Sequence, residues 1–507
     1  MIFAIGSAIF FLSSGTFLMK YLIHILFIFL LAIPCFVLGQ SQDDLWHAGG
    51  ITKYEFVHEN ENSILAYGKL DAIYSRLQAI KHTGKGRVNI IHIGDSHLQA
   101  DGITSVVRNG FQLFFGDAGR GLVFPYQLAA TNAPHDIKSS SNATWKSNRL
   151  TSPNTPVKTG ISGYGIHSAG KNAFVNLQLK DVEGKQDSFD RMVFFLCNDN
   201  VCYRLTDSNL ATPVMVNTSR GSTGAVAVNT DNMLKGFELG KVNAPESTDY
   251  SFYGVSLEKK NNAGVLYHTI GVNGARYDQF LLNDLFWEQL KDLQGDLFIV
   301  SLGTNEAQNQ FINEVAFIDA CNGFVKKIHS IAPGAMVLLT TPAGSYFRNK
   351  KPNKSIQNVA AAINRYGEQN KVPTWDLFKI TGGFASIPAW KKYDLISHDG
   401  VHYNNAGYQL QGSLLLNAFA AGYNNYTKGH PYKTEVKTAP KSSPVTKTSD
   451  IIVKADIPKK EAPKKPAISF QKVVPDAMPK PARADSAASE TIGMPKRKSN
   501  IVVEYSD

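Results

Sequence analysis

Val88-Asn89-Ile90-Ile91-His92-Ile93-Gly94-Asp95-Ser96-His97 is the stretch whose reading decides the fold. Apolar, β-branched residues run into a Gly-Asp-Ser turn. A segment of helical period follows, with Ile103, Val106, Val107, Phe111 and Phe114 on one side. This pattern predicts a buried strand that stops at a glycine and re-enters as a helix. The turn then lies at the carboxyl edge of an open α/β sheet, where such folds bind ligands. A serine there presents its hydroxyl to the cleft and its N–H near a helix N-terminus, which favours developing negative charge. Ser96 is the candidate nucleophile. Its plain alternative is a helix N-cap.

Outward from this turn, Leu65, Leu70, Ile73, Leu77 and Ile80 predict an amphipathic helix over roughly 62–82, ahead of the first strand. After Gly264, strands and helices alternate. Strands are expected at Val265–Ile270, Leu297–Leu302 and Met336–Thr340, and helices at Gln279–Leu293, at Phe311–Ile331, through Ile356, Ala360 and Ile363, and through Leu410, Leu414 and Ala418. This is the signature of a mostly parallel, doubly wound sheet. Residues 136–263 read differently, with short alternating runs such as Val175–Leu179 and Tyr253–Leu257 separated by turn formers. An all-β sandwich inserted between two parts of one α/β domain, 45–135 and 264–427, is the expected organisation.

Four separated stretches share one chemical theme: Gly94–His97, Gly271–Ala275, Ser301–Glu306 and Asp399–Asn404. Three follow expected strands and so gather at one sheet edge. A serine hydroxyl is a weak nucleophile until a base takes its proton, and imidazole serves near neutral pH. Asp399 stands three residues before His402, a spacing that lets a turn join carboxylate to ring. The N–H groups of Ser96 and Gly274 and the side-chain amide of Asn305 are the candidate oxyanion donors. Each has a bland reading alone: an ordinary turn for Asp399 and His402, a loop amide for Asn305, a tight turn for Gly274. Together they fill every role of a serine esterase. His92 is expected to be a packed strand residue, His398 a surface neighbour, and Asp95 a residue that holds the turn; His97 is a weaker candidate.

This constellation resembles the SGNH/GDSL hydrolase superfamily. Gly94-Asp95-Ser96, Gly274, Gly303-Thr304-Asn305-Glu306 and Asp399-x-x-His402 match its blocks in order, over about residues 60–135 and 262–425. The resemblance implies a flavodoxin-like α/β/α domain with Ser96 as nucleophile, His402 as base and Asp399 as its partner. Gly94–Asp101, with Tyr253–Leu257 running into His268–Ala275, narrows it to the peptidoglycan O-acetylesterase group. That group implies a carbohydrate-binding-like insert and removal of acetyl groups from muramic acid residues.

The termini bear on compartment. Met19-Lys20 and the apolar run Tyr21–Leu38 read as a secretory signal peptide over 1–39, with an uncleaved membrane anchor as the rival. A periplasmic or extracellular location follows. The net charge is +10, but from Lys428 onward roughly sixteen Lys and Arg oppose nine Asp and Glu, so about +7 sits in the tail. No basic nucleic-acid face is expected on the folded part. The tail, 428–507, holds about ten of the 22 prolines and is expected to be disordered, available to anionic envelope polymers or simply solvated. Four cysteines do not make a disulfide framework. Cys197 and Cys202 are spaced to bridge a hairpin, while Cys321 is expected as a buried thiol. No His, Cys and carboxylate spacing suggests a metal, and Gly165–Asn172 fails as a phosphate loop because Asn172 replaces Ser or Thr.

The expected activity is cofactor-free removal of O-acetyl groups from a cell-envelope glycan, probed by acetate release. Alternatives are another acyl ester such as acetylated xylan or a lipid, acetyl transfer between sugars, or non-catalytic binding of the cell wall.

Overall fold

The computed structural model describes residues 45–432 except 153–156, 183–184, 197–200, 218–224, 243–249 and 310. The leader, nearly all of the tail and Cys197 lie outside the described residues. Cys202 carries a free thiol.

Six strands make the central sheet: β1 (Ile64–Leu65), β2 (Arg87–Gly94), β3 (Gly264–Gly271), β4 (Leu297–Ser301), β5 (Met336–Thr340) and β6 (Thr374–Trp375). Their spatial order is β1-β6-β5-β4-β2-β3. All neighbours are parallel except β1 on β6. Near-continuous apolar runs suit strands covered on both faces. Alternate residues serve opposite layers, because successive side chains leave a strand on opposite sides. Ile91, Ile93, Phe298 and Val300 pack with helices α4 (Glu314–Ile331) and α5 (Lys354–Asn370). Val88, Ile90, Leu297 and Ile299 pack with α1 (Asp71–Thr83), α3 (Gly102–Phe115) and α6 (Asn405–Gly429). The result is a three-layer α/β/α arrangement.

Between β2 and β3 the chain forms two antiparallel sheets. One runs in the order 214–217, 202–206, 236–242, 174–179, 137–140, and the other 225–234, 189–196, 250–258, 164–168, 146–149. Rings from opposite sheets meet: Phe194 and Phe237 have centroids 5.2 Å apart, and Tyr203 and Tyr250 4.8 Å. Antiparallel pairing starts before residue 136, because Gly121–Val123 already lies on Val255–Leu257.

Two expected helices differ. The segment after Ser96 is a single turn, α2 (Ser96–Gln99), separated from α3 by Asp101 at φ +65°. Asp101 takes this left-handed backbone while its carboxylate meets Arg108 and Arg120. The segment 279–293 breaks at Leu282 because Asn283 caps a new helix, accepting from the Phe286 N–H and donating to Thr159 Oγ1. Helix α6 runs to Gly429, two residues into the stretch expected as tail. Among the described residues no helix is long and apolar enough to cross a membrane.

Candidate active site

Strand register builds the site. Gly94 of β2 stands level with Gly271 of β3 and Ser301 of β4, so three of the four motifs leave the sheet side by side. Strand β2 is also where the strand order reverses, with β3 on one flank and β4 on the other, the usual ligand crevice of such sheets. A side chain at Gly94 would collide with Leu98 and the Ser301 carbonyl, each 2.6 Å from a Cβ. That close approach is what glycine permits there.

The N-cap of α2 is Asp95, whose Oδ1 accepts from the His97 N–H at 3.0 Å. Ser96 is thereby relieved of the capping role and its hydroxyl is available. The fourth motif arrives on the loop before α6. Ser397 N–H donates to the His402 carbonyl at 2.7 Å, and Gly400 turns the chain at φ +70°. Asp399 Oδ1 accepts from the N–H groups of Val401 and His402 at 2.8 and 2.9 Å. Its Oδ2 meets His402 Nδ1 at 2.6 Å, and His402 Nε2 meets Ser96 Oγ at 2.8 Å. Hydroxyl, imidazole and carboxylate thus form one continuous chain.

Burial pushes the Asp399 carboxyl up, yet hydrogen bonds from the His402 ring and the two N–H groups outweigh it and hold it below its ordinary range. An ionised carboxylate on Nδ1 keeps the proton there and leaves Nε2 as a base toward Ser96.

The expected oxyanion donors lie around the same turn. Ser96 is the first residue of its helix, so its N–H has no intrahelical acceptor. Gly274 adopts φ +80°, and its N–H makes no hydrogen bond among the described residues. Asn305 Nδ2 donates to the Ala275 carbonyl at 3.0 Å and, more loosely, to Asp95 Oδ2 at 3.4 Å. One amide therefore ties the Gly274 turn to the turn that carries Ser96.

His92 is fully buried, bonded through Nδ1 to Tyr267 Oη and through Nε2 to Ser301 Oγ, both at 2.7 Å. Burial lowers its pKa to about 3, so it packs as a neutral ring. His97 Nδ1 meets Tyr408 Oη at 3.2 Å, and burial lowers its pKa too. His398 is exposed. Cys321 is buried, and burial pushes its thiol well up.

Sequence reasoning passed over two groups. Glu306, though inside the third motif, was given no role of its own. Its Oε1 accepts from the Tyr277 N–H at 3.0 Å, and burial raises its pKa to about 7. Gln99 is 1% exposed and sits between the nucleophile turn, the Gly274 turn and the β-rich region. Its place one turn after Ser96 was the available signal.

The GDSL-like lipase/acylhydrolase family model matches residues 239–410. No curated protein matches the sequence. A solved peptidoglycan O-acetylesterase structure aligns with a TM-score of 0.59 at 20% identity, covering 73% of this chain and 99% of that one. A lipase/acylhydrolase from Enterococcus faecalis aligns at 21% identity and TM-score 0.25, covering 31% of this chain and 77% of that one. An acetyl xylan esterase aligns at 16% identity and TM-score 0.26, covering 30% and 81%. Residues 239–410 therefore carry the GDSL-like lipase/acylhydrolase pattern, and the chain shares its fold with a peptidoglycan O-acetylesterase.

Proposed function

We propose that the protein is an exported esterase that removes O-acetyl groups from a cell-envelope glycan, peptidoglycan in the first instance. The observation that carries the reaction is the unbroken chain from Ser96 Oγ through His402 to Asp399, at 2.8 and 2.6 Å.

Ser96 Oγ attacks the acetyl carbonyl while His402 Nε2 takes its proton. The carbonyl π electrons move to oxygen, which the Ser96 and Gly274 N–H groups and the Asn305 amide receive. Collapse breaks the bond to the sugar oxygen, and His402 returns the proton to that leaving alkoxide. Water then attacks the acetyl-Ser96 ester with His402 again as base, releasing acetate and restoring the hydroxyl. Asp399 orients the imidazole and stabilises its charged form.

A glycan suits the surroundings. A cavity of about 450 Å³ is lined by residues including Ala100, four after Ser96, and Asn405, three after His402. His135, Lys180, Asn109 and Gln409 add donors and acceptors of the kind a sugar satisfies. The likeness in fold to a peptidoglycan O-acetylesterase points the same way. In this reading 1–39 is a cleaved leader, 136–263 an inserted sandwich and 428–507 a basic arm.

The test is acetate release from O-acetylated peptidoglycan, acetylated xylan and an acetylated lipid. Peptidoglycan is expected to be turned over fastest, and Ser96→Ala to abolish release. Preference for xylan or lipid would move the substrate assignment, and transfer of the acetyl group from Ser96 to a hydroxyl of a second sugar would make the protein a transferase. Cell-wall binding without turnover by wild type would remove the catalytic reading.

A further inference from the structure

The β-rich region reaches into the candidate oxyanion hole. Gln99 uses both ends of its amide there. Its Nε2 donates to the Asn132 carbonyl at 2.8 Å and to Thr131 Oγ1 at 2.9 Å. Its Oε1 accepts from Tyr164 Oη at 2.6 Å and from the Asn273 N–H at 3.1 Å. A backbone carbonyl only accepts and a backbone N–H only donates, so the amide has one possible orientation. Tyr164 opens a strand of the β-rich region and is 3% exposed. Its hydroxyl also lies 3.4 Å from the Asn273 N–H.

The other face of Asn273 is held as well. Thr151 Oγ1 donates to the Asn273 carbonyl at 3.3 Å. That carbonyl belongs to the same peptide unit as the Gly274 N–H. A trans peptide is planar with its C=O and N–H opposed, so fixing the oxygen fixes the direction of the hydrogen. Gly274, at φ +80°, has no side chain to hold it, and a Cβ added there would meet only the Thr151 methyl, at 3.9 Å, beyond its chain neighbours. Its N–H is aimed from outside.

Resting on the esterase reading above, we infer that the β-rich region is part of the acyl-transfer machinery, with Gln99, Tyr164 and Thr151 as positioning residues that aim the Gly274 N–H at the oxyanion. A region that serves only to hold polymer affects turnover of polymer alone. One that aims an oxyanion donor affects every ester, including those with no sugar, because the donor is needed in each transition state.

The experiment uses the full chain with 4-nitrophenyl acetate as substrate and phenylboronic acid, which binds serine as a tetrahedral anion, as inhibitor. Loss of turnover in Ser96→Ala secures the underlying reading. Absence of turnover by wild type overturns both that reading and this inference. Gln99→Ala is expected to lower kcat about 10- to 100-fold, and Tyr164→Phe and Thr151→Val about 10-fold, since a loosened donor costs less than a deleted one. KM is expected to stay within about twofold, and Ki for the boronic acid to rise in step with the fall in kcat/KM. The control Lys235→Ala, which removes an exposed pair with Asp181 in the β-rich region, is expected to match wild type. Should Gln99→Ala fail to fold, the two milder variants carry the test. Wild-type kcat and Ki in those variants, with turnover reduced only on peptidoglycan, would overturn the inference.

Discussion

Two aspartates five residues or fewer from a functional motif behave in opposite ways. Asp399 faces His402 with its side chain 52% exposed and the ring 40% exposed. Asp101 is 5% exposed and bridges Arg108 and Arg120, themselves 3% and 2% exposed, at 2.8 Å each. Arg120 also holds Asp136. The first pair stays near water. The second is removed from water, where charges attract strongly and cannot be left unmatched. Asp101 is the N-cap of α3 and Arg108 lies within that helix, whereas Arg120 and Asp136 bracket the entry into the β-rich region. In the proposed reading the first centre serves chemistry, whereas the second joins two parts of the chain.

Removing the proposed nucleophile breaks the comparison most sharply. Ser96→Ala is expected to lower kcat by roughly four to six orders of magnitude with the melting temperature unchanged, measured by ester hydrolysis beside thermal denaturation. Asp399→Asn is expected to lower kcat by roughly 10²- to 10⁴-fold, again with little loss of stability, since its carboxylate is half in water. Asp101→Asn should do the reverse. Uncompensated buried arginines cost about 3–5 kcal/mol, read as a lower urea midpoint. Burial pushes the Asp101 carboxyl up, but Arg108 and Arg120 prevail and hold it well below its ordinary range. Its contribution to stability is therefore complete above the unfolded pKa and lost as pH falls.

Glu306 sharpens the comparison with the opposite sign. Burial raises its folded pKa to about 7, above the ordinary carboxylate range. Its stabilising contribution is fully present below the unfolded pKa and is lost as pH rises through about 7. Glu306→Gln keeps an acceptor for the Tyr277 N–H and removes that slope. The variant is expected to match wild type near pH 4 and to exceed it by roughly 2–3 kcal/mol at pH 8, followed by urea titration at both values.

The site was legible where its members are encoded locally. Gly94, Gly271 and Ser301 end neighbouring strands in register, so apolar runs stopping at small polar turns already announce a shared edge. The spacing of Asp399 and His402 likewise encodes a turn that joins them. Gln99, Tyr164 and Thr151 carry no such signature. They meet across the chain only after the β-rich region packs against the sheet, and a buried glutamine looks no different in sequence from an exposed one. The helix breaks were hidden for a related reason. Apolar periodicity passes through Asp101 and through Leu282–Asn283, whereas the breaks come from a carboxylate drawn to two distant-acting arginines and from a cap bonded to Thr159. The leader and tail are compositional readings that lie almost wholly outside the described residues.

The most direct measurement is mass spectrometry of the full chain quenched during turnover of an acetyl ester. An acetyl group on the peptide containing Ser96, absent when Ser96→Ala is treated alike, is the expected result. Acetylation at another residue, or undiminished acetate release by Ser96→Ala, would contradict the account.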